Sequence, residues 1–279
     1  MKTKLYVSSF IVLILSACGG YEAAYSPTPD DTAIVGGTIT AKDNIVSQYV
    51  VLIYDNPTKT YCTGALISKR LILTAAHCVG KGAEGLTLAF GLNPLAGQYV
   101  MKKAHKVATH DKYKKLNSTE RNDIALISMK EDAPAFYRPL TLPDSKFPIS
   151  KDLIFTAAGY GRISGKKTSA DDTQGSGKLR HVDLTISHFS SDETQFYINQ
   201  EDGKGICNGD SGGPALMRYS GKDYVVGVAS AISWTVPGEV KASQKSQYID
   251  NKDLCKDKSI YMNVIKYRQW IDDNSKKLL

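Results

Sequence analysis

The side chains most suited to chemistry sit in three short stretches: "LTAAHC" holds His77, "RNDIALI" holds Asp123 just ahead of an apolar run, and "CNGDSGGPAL" holds Ser211. A serine hydroxyl is a poor nucleophile near neutral pH and needs an adjacent base. Imidazole titrates in that range and is the side chain suited to take the proton. The imidazole in turn needs a carboxylate to hold its tautomer and stabilise the cation it becomes. Alone, each residue is commonplace, since a lone His is usually structural and Asp-Ser-Gly often only turns the chain. Together they would make an activated nucleophile.

Such a trio needs a scaffold that joins distant parts of the chain. From Ile34 onward, "QYVVLIY", "TGALIS", "RLILTA", "DIALISM", "LIFTAAGYG" and "YVVGVASAI" are apolar runs of strand length, separated by Gly, Pro, Asn or Lys-rich breaks. Helical spacing occurs only near the end, where Val264, Tyr267, Trp270 and Ile271 within "YMNVIKYRQWIDDNSKK" predict an amphipathic helix. Many short strands and one late helix point to a β-sandwich or β-barrels. No internal repeat is present. "SGKKTSADDTQGSG" and the long "TVPGEVKASQKSQYIDNKD" read as polar loops. The 279 residues are 42% hydrophobic and 23% charged, an ordinary globular balance. The net charge of +7 comes from scattered Lys and Arg with no nucleic-acid motif, which implies a solvated basic surface and no nucleic-acid partner.

The first residues address the compartment. "MKTK" is a basic start and "LYVSSFIVLIL" an apolar segment too short to span a bilayer comfortably. The following "LSAC" resembles the lipobox of bacterial lipoproteins, which makes residues 1–17 a signal peptide and Cys18 a lipidated residue. An ordinary secretory signal that contains a Cys is the alternative, and either one exports the chain. Residues 18–33 read as an unstructured pro-segment or linker. Five cysteines is an odd count, and with Cys18 carrying lipid four remain: Cys62, Cys78, Cys207 and Cys255. Four permit three pairings, and an oxidising compartment favours disulfides.

"TAAHC" and "GDSGGP" in one chain, with Asp123 between them, resemble the chymotrypsin–trypsin family of serine peptidases. The resemblance runs from "IVGG" at Ile34 to the terminal helix. It implies an all-β fold of two antiparallel six-stranded β-barrels packed together with a C-terminal α-helix, one half over residues 34–146 and the other over 147–279. It implies an exported endopeptidase that hydrolyses proteins or peptides through an acyl-enzyme on Ser211. His77 would be base and then acid, and Asp123 its orienting carboxylate. The backbone N–H groups of Gly209 and Ser211 would form an oxyanion hole, each donor worth roughly 3–4 kcal/mol in the transition state. Ser230, in "VGVASAI", matches the strand that pairs with an extended substrate.

The same resemblance gives a meaning to "DTAIVGG". Cleavage between Ala33 and Ile34 would release an ammonium that folds inward and pairs with Asp210; a plain strand start is the alternative. It also implies the disulfides Cys62–Cys78 and Cys207–Cys255, with a free thiol pair as the alternative for the second, because the stretch from Ser230 to Cys255 is long for the family.

Specificity follows from the pocket positions. Trypsin-like members carry an Asp six residues before the nucleophile; this chain has Gly205 there, and Asp202 is misplaced. "GICNGDSGGP" is closer to leukocyte elastase-like members. Gly205, Ile206, Ser230, Ala231, Ile232 and Ser259 are the expected substrate-binding residues, with Ile206 and Ile232 narrowing the slot toward Ala or Val before the scissile bond. Ala231 departs from the bulky aromatic usual at its position. Because Ala33 suits that pocket, the enzyme would activate itself in trans, and cleavage would free it from a lipid at Cys18. His105, His110, His181 and His188 show no metal-ligand spacing, so neither metal nor cofactor is implied, and a monomer is expected in a bacterial cell envelope or secreted from it. Two rival readings stay open: a catalytically idle homologue that binds partners, and trypsin-like specificity with Asp250 or Asp253 supplied by the 233–255 insertion.

Overall fold

The computed structural model describes residues 34–80, 82–116, 119–166, 175–234 and 236–279. The signal segment, Cys18 and the rest of the pro-segment through Ala33 lie outside the described residues. The strands are β1 (Thr38–Ile39), β2 (Val50–Asp55), β3 (Thr60–Ser68), β4 (Leu71–Thr74), β5 (Leu86–Asn93), β6 (Gln98–Thr109), β7 (Lys114–Leu116), β8 (Thr119–Arg121), β9 (Ala125–Met129), β10 (Ile154–Gly159), β11 (Arg180–Thr185), β12 (His188–Phe189), β13 (Gln195–Asn199), β14 (Pro214–Tyr219), β15 (Lys222–Ser233) and β16 (Lys258–Asn263). Two helices complete the fold: α1 (Lys245–Asn251), within the long polar stretch after β15, and α2 (Val264–Leu278) at the end.

In the first half, β2-β3-β4-β9-β6-β5 close into an antiparallel barrel. The continuously apolar runs supply its interior: Val50–Ile53, Leu71–Leu73 and Ala125–Ile127 are all buried. Closure leaves no unpaired edge on these strands. The second half differs from the expected pair of barrels. It is an eight-stranded sheet of order β1-β11-β10-β14-β15-β16-β13-β12, and a second closed barrel is not formed. The ladder breaks at Ile186–Ser187, between β11 and β12. There Ile186 bonds with the 152–153 turn in both directions, while Ser187 N–H donates to Tyr197 O at 2.8 Å.

The boundary near residue 146 separates the barrel strands from those of the open sheet, with one exception. β1 comes from the N-terminal end and pairs with β11, Thr38 opposite His181. The halves are joined by Tyr160, whose buried hydroxyl donates to Val50 O and Gly91 O at 3.2 and 2.8 Å, and by α2. The helix begins at Val264, the first residue of the expected helical spacing, while Tyr261–Asn263 continue β16 and the Asn263 side chain accepts from Ile265 N–H as a cap. Its Val264, Tyr267, Ile271 and Leu278 join the core that includes the first barrel.

Candidate active site

Where β4 ends, a 3-10 turn at Ala76–Val79 carries His77 to the cleft between the halves. Asp123 precedes β9 and is fully buried. Its two oxygens are committed: Oδ1 accepts from His77 N–H at 2.9 Å, and Oδ2 lies 2.8 Å from His77 Nδ1. Ser230 Oγ, on β15, donates to the same Oδ2 at 2.6 Å. Burial works to raise the Asp123 pKa, but the bonds from His77 and Ser230 outweigh it and hold the carboxyl below its ordinary value. An ionised carboxylate only accepts, so His77 Nδ1 carries a proton and Nε2 is left as the basic nitrogen.

Ser211 shares with His77 two pockets of about 510 and 340 Å³, on either side of the pair. The backbone around it is pinned on all sides. Asn208 O accepts from Arg162 N–H at 2.9 Å and Gly209 O from Thr63 Oγ1 at 2.8 Å. Ser211 O accepts from Thr63 N–H at 2.8 Å. These bonds turn the carbonyls away, and among the described residues the N–H groups of Gly209 and Ser211 have no acceptor. Gly209 is required here, since its φ is +99° and a Cβ would fall 2.4 Å from the Tyr61 ring.

The smaller pocket has a mixed lining, and the Cys207–Cys255 disulfide forms part of its wall. Ile206, Ser230, Ala231 and Ile232 line it. Gly205 and Ser259, also expected there, do not. Gly205 sits behind the wall against the buried Gln200 amide, which bonds Ile206 in both directions and Cys255 O. Ser259 is buried opposite Ile232 on β16. Four lining residues were not foreseen: Gly165, Asn208, Trp234 and Leu254. Trp234 is one of only two tryptophans and directly follows β15, a signal that sequence reading passed over. Gly165 gives no local signal, being 90 residues from Cys255 in the chain. β15 loses its β14 partner after Val228, so Ser230–Ile232 keep one edge free of β14 beside the pocket.

Of the two candidate pocket acids, Asp253 is engaged elsewhere. Asp253 accepts from Gly165 N–H and Ser164 Oγ at 2.7 and 2.8 Å and does not line the pocket. Asp250 lies in α1, and its side chain is outside the description.

On the far side of the nucleophile, Asp210 is fully buried. Its Oδ1 accepts from Gly161 N–H at 2.7 Å and its Oδ2 from Cys207 N–H at 2.8 Å. Burial pushes its pKa up to about 7, against the pull of those two bonds and the Arg180 charge. Ile34 is also fully buried, and Val35 O accepts from Gly205 N–H at 2.9 Å, so the "IVGG" segment docks five residues from Asp210. Ile34 has a φ of +49°, an outlying conformation for a β-branched residue. The second disulfide of the structure, Cys62–Cys78, flanks His77. Cys62, His77 and Cys78 also lie close enough together to hold a metal, but both sulfurs are in the bond and His77 Nδ1 is engaged by Asp123.

Comparison with known proteins accords with this arrangement. A family model described as Trypsin matches residues 34–271. "CLIP domain-containing serine protease B15" of Anopheles gambiae is 26% identical over 249 residues, covering 78% of this chain and 62% of that protein. "Phenoloxidase-activating enzyme" of Bombyx mori is 28% identical, covering 92% and 66% respectively. "Serine protease SP24D" of Anopheles gambiae is 28% identical, covering 76% of each. The chain thus spans less than two thirds of the length of the first two relatives. A match that runs from the buried Ile34 into the terminal helix, and takes in His77, Asp123 and Ser211, places this chain in the trypsin family of serine peptidases.

Proposed function

We propose that the protein is a serine endopeptidase, exported as a precursor and activated by cleavage between Ala33 and Ile34. The observation that carries this reading is the buried relay Ser230–Asp123–His77 beside Ser211, with two unclaimed N–H donors next to the nucleophile. His77 Nε2 takes the Ser211 proton as Oγ bonds to the substrate carbonyl carbon, and the carbonyl electron pair moves to oxygen. Gly209 and Ser211 N–H receive that oxyanion. The C–N bond then breaks, His77 protonates the departing amine, and an acyl-enzyme remains for water to hydrolyse by the same steps. Reaction of Ser211 with a fluorophosphonate, absent in Ser211→Ala, tests this; an unreactive wild type would instead favour an idle homologue.

Two features support activation at Ala33–Ile34. The φ torsion of Ile34 exists only while residue 33 is attached, so cutting that bond removes a strain of about 1–3 kcal/mol. The same cut supplies an ammonium near a buried carboxylate, which is costly to ionise without a partner. The pocket, narrowed by Ile206, Ile232 and Trp234, suits Ala or Val before the scissile bond. Ala33 meets that requirement, so activation proceeds in trans by a second copy. A peptide library dominated by Phe, Tyr or Arg at that position would overturn the preference. Two disulfides suit an oxidising compartment. The bacterial envelope and the lipid on Cys18 rest on the "LSAC" sequence alone, and incorporation of labelled fatty acid, lost in Cys18→Ser, tests them.

A further inference from the structure

The long stretch after β15 returns to the pocket at Asp253–Cys255, and Asp253 makes a link that neither pocket residue nor triad member requires. Its Oδ1 accepts from Gly165 N–H at 2.7 Å and from Cys255 N–H at 3.1 Å. Its Oδ2 accepts from Ser164 Oγ at 2.8 Å. One half-buried carboxylate thus fastens two loops that lie 88 residues apart in sequence. The fit is tight: a Cβ on Gly165 would fall 2.7 Å from Cys255 Sγ and 2.9 Å from its backbone nitrogen. Both loops face the pocket, since Gly165, Leu254 and Cys255 all line it.

We infer that Asp253 is a specificity-determining positioning residue, clamping the 164–165 loop to the 254–255 loop so that the pocket wall stays closed against side chains larger than Ala or Val. This rests on the proposed peptidase reading. Hydrogen bonds to a charged acceptor are stronger than neutral ones, so one carboxylate suffices to hold the two loops together. Asp253 does not touch the substrate. Its loss lets the wall retreat without disturbing His77, Asp123 or the backbone donors at Gly209 and Ser211.

The test uses cleaved wild type, Asp253→Ala and Asp253→Asn, with peptide substrates that differ only in Ala or Phe before the bond. Asp253→Ala lowers the Ala-over-Phe preference in kcat/KM roughly tenfold, chiefly through a higher KM for the Ala substrate. Asp253→Asn keeps an acceptor for Gly165 N–H and falls between. The rate of Ser211 labelling by a small fluorophosphonate stays unchanged, because that reagent does not fill the pocket. An unchanged preference, or labelling that falls in step with it, overturns the inference. Should Asp253→Ala fail to fold, Ser164→Ala removes one bond and shifts the preference in the same direction by less. If wild type is neither labelled nor active, the peptidase reading falls, and amide exchange still decides the clamp: faster exchange at Gly165 in the variant supports it, and equal exchange refutes it.

Discussion

Ser230 donates its hydroxyl to Asp123 Oδ2 at 2.6 Å, and both residues are buried. The bond helps hold the carboxyl ionised against burial, and through Asp123 it holds the His77 tautomer. A hydrogen bond to a charged acceptor contributes about 1.5–3 kcal/mol. Ser230→Ala therefore lowers kcat roughly 10- to 100-fold with KM little changed, as steady-state kinetics on an Ala-containing peptide will read.

Asp123→Asn tests the other end of the relay. An amide can donate to His77 and stabilise the wrong tautomer, so kcat falls on the order of 10⁴-fold, the scale on which Ser-His-Asp triads respond to that error. The circular dichroism spectrum stays that of the parent.

Gly209→Ala separates oxyanion binding from the triad. At a φ of +99°, with the Tyr61 ring where a Cβ would stand, the 208–209 peptide must rotate and carry its N–H away from the substrate oxygen. A loss of about 10²–10³-fold in kcat follows.

Asp210 makes the stability of the uncut chain depend on pH. Its folded pKa of about 7 lies above the ordinary 3.8, so the folded state holds its proton longer than the unfolded one. The associated stability is complete below pH 3.8 and is lost as pH rises through about 7, an effect of roughly 4 kcal/mol. In Ser211→Ala precursor, urea midpoints fall between pH 4.5 and 8. Under the proposed activation, cleavage between Ala33 and Ile34 would give Asp210 a cationic partner and remove most of that slope. Equal slopes in cut and uncut forms would count against the pairing.

Much of the first barrel was legible, and the motifs that hold His77, Asp123 and Ser211 were visible, because the relevant signals are local. The runs around Val50–Ile53, Leu71–Leu73 and Ala125–Ile127 are apolar on both faces, and each became a buried strand. β6 was missed because its residues are largely exposed and lysine-rich, so it lacks an apolar run despite its 12 residues. α1 was read as loop because its seven residues are mostly polar, and the adjacent Tyr248 and Ile249 make no amphipathic stripe. The helical spacing read from Val264 to Ile271 falls within α2, and Tyr261–Asn263 just before it belong to β16 through pairing with β13 and β15.

The pocket was only half legible. Ile206 and Ile232 stand near motifs in the sequence, whereas Gly165, Leu254 and the Asp253 link depend on loops brought together by the fold. The single open sheet in place of a second barrel was likewise beyond sequence reading, because it turns on the backbone bonds of Ile186 and Ser187.

The most direct measurement is mass spectrometry of the cleaved enzyme mixed with a peptide ester ending in Ala and quenched in acid within the first turnover. A mass gain equal to the acyl group, localised to Ser211 and absent in Ser211→Ala, is the predicted result. Ester hydrolysis by wild type with no adduct on Ser211, or an equal rate in Ser211→Ala, would contradict the assignment of Ser211 as nucleophile.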